Sequence, residues 1–254
     1  MISWIMAARN DGYGGELEGV ENFAMARLQA TVESIVALDV KSEIIIVEWN
    51  PPADRPSMRT FLEGQPVSIV TVDAGLQAEL DADHAGKPFP FYEYVAKEIG
   101  IRLAGSDTLI VCNPDNIFPA AGFDQVLTDI ADGRVVRAIR HEIPRGYVLD
   151  PSLIATVMRD FTAAAGDFCG FSRYAYQDIG GWAMVHQNLH VDNDFVSRAE
   201  EMGYTVVQDY RHFHIHHDHA GTEAPGRPRD WEKREPISEP LLLNLLDHTT
   251  RIDL

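Results

Sequence analysis

Ile44, Ile45, Ile46 and Val47 follow one another with no polar interruption, between Glu43 and Glu48, and Trp49-Asn50-Pro51-Pro52 stops the run. A strand with one wet face alternates apolar and polar residues; an unbroken run marks a strand covered on both faces. Such a strand needs neighbours in a parallel sheet and helices above and below it. The surrounding chain supplies them. Residues 2–8 read as a strand, and residues 22–38 place Phe23, Met25, Leu28, Val32, Ile35 and Val36 at helical spacing. A third strand is expected at 67–72, a helix at 92–104 with Gly105-Ser106-Asp107 as its exit turn, and a fourth strand at 109–112. This alternation predicts a doubly wound α/β half.

The second half is more mixed. Helices are expected at 123–131 and 194–202, strands at 135–139 and 204–207, a short apolar piece at 167–172, and a sharp loop at Gly180-Gly181-Trp182. Residues 224–240, rich in proline and charge, read as a surface linker or lid, and 241–246 as a closing helix. The expected organisation is a single α/β domain over 1–223, with a nucleotide-binding half (1–116) and an acceptor and metal half (117–223), then a C-terminal lid or linker with its closing helix over 224–254. A chain of 254 residues is long enough for this core.

Charge narrows the partners. The formal net charge of −18 opposes nucleic acid and anionic membranes. No run approaches the roughly 18 apolar residues of a membrane helix. Cys112 and Cys169 sit in apolar company and read as buried free thiols, so a reducing, cytoplasmic setting is the expectation.

Four places carry chemistry. The loop Arg9-Asn10-Asp11-Gly12-Tyr13-Gly14-Gly15 follows the first strand, where ligands approach the carboxyl end of an α/β sheet. It lacks the G-x-G-x-x-G spacing and a Walker lysine. Glu48 ends the second strand, either as an ordinary strand-terminal surface carboxylate, the better reading of the residue alone, or as one that holds a ribose or uracil edge. The turn Asn113-Pro114-Asp115-Asn116 ends the fourth strand and offers Asp115 to a hard cation such as Mg²⁺ or Mn²⁺, whose shell substrate phosphates complete. An Asx turn without ligand is the alternative. Last, residues 212–219 hold five histidines in eight positions. On a strand, His212, His214 and His216 would share one face and could bind Zn²⁺ or add one ligand to a Mn²⁺ site. Asp192 opens the late helix as either its cap or a general base.

In order and spacing these pieces resemble GT-A fold glycosyltransferases, bacterial family-two-like members in particular. The matching stretches are residues 96–101, 113–115, 180–182, 191–194 and 212–219. The resemblance implies a GT-A (Rossmann-like), mixed but mostly parallel central sheet with helices on both faces. It implies a metal-dependent transferase moving a sugar from a UDP- or GDP-type donor to a hydroxyl acceptor. Asp115 would bind metal with His214 or His216, and Mn²⁺ or Mg²⁺ would be the cofactor. Arg9, Asp11, Glu48, Lys97, Asn113 and Asp115 would line the nucleotide-sugar, Trp182 the acceptor, and Asp192 would be the base. Three positions depart from the family pattern: Asn113 stands for the first motif Asp, Lys97-Glu98 for Arg-Asn, and Val191 for Glu. A sugar nucleotidyltransferase, a non-catalytic nucleotide- or sugar-binding homologue and a zinc protein are the other readings.

Overall fold

The computed structural model describes residues 1–84, 89–161, 165–186, 190–218 and 235–254. Its strands are β1 (Ile2–Ala8), β2 (Ser42–Trp49), β3 (Ser68–Val72), β4 (Thr108–Cys112), β5 (Asn116–Ile117), β6 (Val135–Ile143), β7 (Arg159–Phe161), β8 (Phe168–Ser172), β9 (Val206–Ile215) and β10 (Thr249–Asp253). The helices are α1 (Phe23–Val36), α2 (Met58–Phe61), α3 (Ala74–Asp83), α4 (Glu93–Leu103), α5 (Phe123–Ala131), α6 (Arg173–Ile179), α7 (Val191–Glu201) and α8 (Glu239–Leu243). Among the described residues all strands form one sheet, ordered β10-β3-β2-β1-β4-β8-β6-β9-β5, with β7 beside β6.

The sheet is mixed rather than mostly parallel. β3-β2-β1-β4 and β6-β9 are parallel pairings, whereas β10-β3, β4-β8, β6-β8, β6-β7 and β5-β9 are antiparallel. The parallel block is the half with the regular strand-helix alternation. Beyond it β8 enters between β4 and β6 and runs against both, a reversal that apolar patterning does not encode.

Period-2 geometry distributes β2 between two cores. Ile44 and Ile46 join the cluster under α1 with Trp4, Met6, Leu28 and Val32. Ile45, Val47 and Trp49 point the other way, to Leu76, Val95 and Ile99. Helix α1 starts where Asn22 accepts a hydrogen bond from the Met25 amide at 3.2 Å, a side-chain cap for an otherwise orphaned N–H. Trp4 is fully buried, its ring 5.0 Å from Phe118 and 5.7 Å from Phe123.

Helix α4 approaches β1 so closely that a Cβ on Gly100 would lie 2.4 Å from Ile5 Cγ2. We expect Gly100→Ala to destabilise the chain by about 1–3 kcal/mol through overpacking, read as a lower urea midpoint at unchanged slope.

Boundaries moved where local pattern is weak. β9 extends through Ile215, well past 207, and the closing helix is α8 followed by a 3₁₀ turn at Leu245–His248. Helix α7 begins at Val191, so Asp192 and Asp194 lie in its first turn, where carboxylates meet the positive end of the helix dipole. Asp192 does not cap it; the cap position is His190, with φ 64°. Cys112 and Cys169 are buried free thiols, as expected. Residues 224–234 of the expected lid, and His219, lie outside the described residues. Among the described residues no helix is long and apolar enough to cross a membrane.

Candidate functional site

β1 and β4 are adjacent and parallel, so the loops at their carboxyl ends share one rim of the sheet. Asp115 follows β4 there, and β9 delivers its terminal histidines beside it, since Asn116 of β5 pairs with His214. Asp115 is buried. Its Oδ2 lies 3.0 Å from His217 Nε2, 3.6 Å from His214 Nε2 and 3.2 Å from Arg27 Nη1. Burial pushes the carboxyl up, but His214, His217 and Arg27 outweigh it and hold Asp115 well below the usual carboxylate range. The ligand atoms of Asp115, His214 and His217 all lie within 4.8 Å of one another.

Donor chemistry separates the two imidazoles. His217 Nδ1 lies 3.2 Å from the Asp218 carbonyl, which can only accept, so Nδ1 carries the hydrogen. A neutral His217 therefore turns a bare Nε2 lone pair toward the Asp115 carboxylate. Two acceptors 3.0 Å apart need a proton or a metal between them. A carbonyl holding the far nitrogen of a histidine is the usual support of a metal ligand. His214 is held the opposite way. Arg140 Nη2 sits 2.9 Å from its Nδ1, and a guanidinium only donates, so Nε2 carries the hydrogen toward Asp115. Asp115 and His217 thus fit a divalent cation as they stand, and His214 fits once Arg140 withdraws.

A second buried layer supports the first. Arg140 reaches Glu142 Oε1 at 2.7 Å and Asp167 Oδ2 at 3.0 Å. Asp167 also accepts from Asn113 Nδ2 at 3.0 Å, and His212 Nε2 is 3.8 Å from it, too long for a hydrogen bond. Burial raises the Asp167 pKa, yet His212, Arg140 and His214 together hold it well below the ordinary value. A depressed folded-state pKa gives stability above the unfolded value near 4 and loses it as pH falls through the folded value. We therefore expect Asp167→Asn to be less stable than the parent by about 1–3 kcal/mol near neutrality, the gap closing below about pH 4 in urea melts across pH.

The glycine loop after β1 closes over this layer. Arg27 Nη2 donates to the Tyr13 carbonyl at 2.6 Å, and the Asp218 amide donates to the Gly14 carbonyl at 3.1 Å. Gly14 has φ 94°, and a Cβ there would lie 2.3 Å from Arg27 Nη2. Gly14→Ala is expected to cost about 1–3 kcal/mol and to shift Arg27 off Asp115, read by denaturation and by cation titration on one sample.

The remaining expected site residues lie as follows. Arg9 spans Asn50 O (3.1 Å) and Asp11 Oδ2 (3.6 Å), and Asp11 accepts from the Tyr13 amide, keeping both at the loop's mouth. Glu48 is buried and accepts from Ser57 Oγ, the Met58 amide and Thr71 Oγ1, so it anchors the start of α2. Lys97 is fully buried, its ammonium reaching Glu93, Asn113 Oδ1 (2.7 Å) and Gly166 O (3.1 Å). Asn113 is thereby locked between Lys97 and Asp167 rather than turned to the Asp115 rim. Trp182 is buried in an aromatic cluster, 4.8 Å from Phe195 and 5.4 Å from Tyr94, and presents no open ring face. Asp192 adjoins Tyr94 OH, and both flank Gly166. His216 lies beyond the strand end, Nδ1 3.4 Å from Glu142 Oε2, away from the Asp115 group.

His217 takes the place that alternation gave to His216, because β9 stops at Ile215 and the period-2 rule stops with it. Arg27 had a signal: it sits one turn from Phe23 and from Thr31, among the apolar positions of α1, where a cation implies a buried partner. Arg140 and Asp167 had none.

No family profile and no curated protein matches the chain. Among solved structures it is similar to the mannosyltransferase PcManGT from Pyrobaculum calidifontis in complex with GDP-Man and Mn²⁺. The TM-score is 0.55 at 15% identity, with 84% of this chain and 56% of that chain covered. The chain therefore spans just over half the length of that protein. The likeness establishes a glycosyltransferase-like fold.

Proposed function

We propose that the chain is a GT-A type glycosyltransferase using a nucleoside-diphosphate sugar, with a divalent cation held by Asp115 and His217. The observation that carries this is the convergence of Asp115, His217 and the β1 glycine loop on one sheet rim, in a chain whose fold is like that of a mannosyltransferase. The mixed nitrogen and oxygen donor set suits Mn²⁺ better than Mg²⁺, which prefers oxygen alone. When bound, such a cation offsets charge on the departing diphosphate. The chain's own groups do the rest. Asp115 and His217 supply lone pairs, His214 and Arg27 steady the Asp115 carboxylate, and the Gly14–Asp218 contact holds the loop over the donor. Arg9 and Asp11 stand at the loop's mouth for the nucleotide. Asp192, next to Tyr94 OH, accepts the proton of the acceptor hydroxyl.

A thermal-shift screen of UDP, GDP, CDP and ADP with Mn²⁺, Mg²⁺ or EDTA tests the reading, since a ligand of the native state alone raises the melting temperature. One nucleoside diphosphate should stabilise the chain only with Mn²⁺. Absence of any shift would sink the proposal. The lock on Asn113 favours one other reading, a nucleotide-sugar binder without turnover; a Mn²⁺-dependent shift with no cleavage of any donor sugar would select it.

A further inference from the structure

The two ends of the sheet are built differently. At one end β9 carries a register irregularity between Val136 and Ala138 of its neighbour, and β5 covers His214 and Phe213. Bulges and covering strands are how sheets protect an edge. At the other end β10 runs in unbroken antiparallel register with β3 and contains no proline. Among the described residues no strand pairs with its outer side.

Hydrogen-bond parity says what that side offers. Leu254 donates its amide to Val67 O at 2.9 Å, and His248 O accepts from the Asp73 amide at 3.1 Å. In an antiparallel ladder the positions that bond to one neighbour recur every second residue. His248, Thr250, Ile252 and Leu254 therefore face β3. The backbone N–H and C=O groups of Thr249, Arg251 and Asp253 are left directed outward, ready for another strand.

The side chains select which strand. Arg251 and Asp253 are exposed on one face, two residues apart, with opposite charges. A second copy arriving antiparallel about a two-fold axis has three registers near the centre of β10. Centring on Thr250 sets Arg251 opposite the uncharged Thr249 and forms no ion pair. Centring on Arg251 sets that residue against itself, and like charges directly opposite are destabilising. Centring on Ile252 sets Arg251 opposite Asp253 of the second copy and Asp253 opposite its Arg251. It also brings the half-buried Ile252 side chains together, with Leu254 and Thr250 beside them. The patch is then its own complement, which is what a two-fold interface requires. Within one chain Arg251 is already drawn along the edge, Nε 3.1 Å from Asp253 Oδ1 and Nη2 3.0 Å from Ser68 Oγ. With a net charge of −18 on each copy, a locally neutral edge is also where two copies repel least.

We propose that the chain forms a two-fold homodimer through antiparallel β10–β10 pairing centred on Ile252. Sedimentation velocity over a concentration series tests it, on the parent, Arg251→Asp, Asp253→Arg and the double exchange, with a melting curve for each. The parent should dimerise, each single variant should weaken the dimer about tenfold or more, and the double exchange should recover it to within about threefold. Hydrogen exchange on the parent gives an arm free of mutations. The Arg251 and Asp253 amides should slow as concentration rises, while those of Thr250 and Ile252 stay constant. A monomeric parent, folded single variants that dimerise normally, a folded double exchange that stays monomeric, or exchange at Arg251 and Asp253 indifferent to concentration would each overturn the dimer.

Discussion

Asp115→Ala is expected to abolish the Mn²⁺-dependent stabilisation by a nucleoside diphosphate. Loss of a partner that merely orients a ligand costs 10–100-fold in metal affinity, so removal of the carboxylate that His217, His214 and Arg27 all address should cost at least about 100-fold. Sugar transfer should fall with it: among the described residues Asp115 is the one carboxylate in the ligand group with His214 and His217, and Asp167 is occupied by Arg140 and Asn113. The variant should also be less stable by about 3–5 kcal/mol near neutral pH, since it leaves the Arg27 guanidinium buried without its counter-charge. Isothermal titration with Mn²⁺ and a urea melt on the same preparation separate the two effects. Unchanged Mn²⁺ affinity in a folded Asp115→Ala would refute the assignment.

Lys97→Met carries the second large effect, and it is one of stability. The family resemblance implies Lys97 as a nucleotide contact, whereas its ammonium is buried against Glu93, Asn113 and Gly166, with the Tyr94 ring 4.9 Å away. Methionine keeps the length and loses every hydrogen bond. Glu93 is a quarter exposed and can partly rehydrate, so the cost is about 2–4 kcal/mol rather than that of a fully buried pair. Nucleotide binding measured well below the melting temperature should change little. A variant of parental stability that had lost nucleotide binding would put Lys97 back at the ligand.

What the sequence disclosed follows physical range. β1, β2, α1, α4 and β4 were legible because each buries a face whose periodicity is local, and β2 showed two covered faces in one unbroken run. The antiparallel entry of β8 was not, because pairing direction is decided by neighbours far along the chain. The same divide runs through the site. Asp115 was visible at the end of an apolar strand, and His214 from period-2 spacing. His217 required knowing that β9 ends at Ile215. Glu48 and Trp182 looked available because a sequence shows residue type and not who already occupies it: Glu48 is spent on Ser57, Met58 and Thr71, and Trp182 on its aromatic neighbours. Asn113 stands where the metal motif has its first Asp, and the structure locks its amide between Lys97 and Asp167.

Asp115 meets Arg27 across 88 residues of chain and His217 across 102. Closing such spans costs entropy before any contact returns it, and no short segment can preform the group. The Asp115–His214–His217 group proposed to hold the cation should therefore be among the last parts to assemble when the unfolded chain is returned to native buffer. The fluorescence of the buried Trp4, Trp49 and Trp182 should recover first, and Mn²⁺ affinity afterwards. During that interval a refolding sample holds molecules that pass every optical test of nativeness and bind nothing.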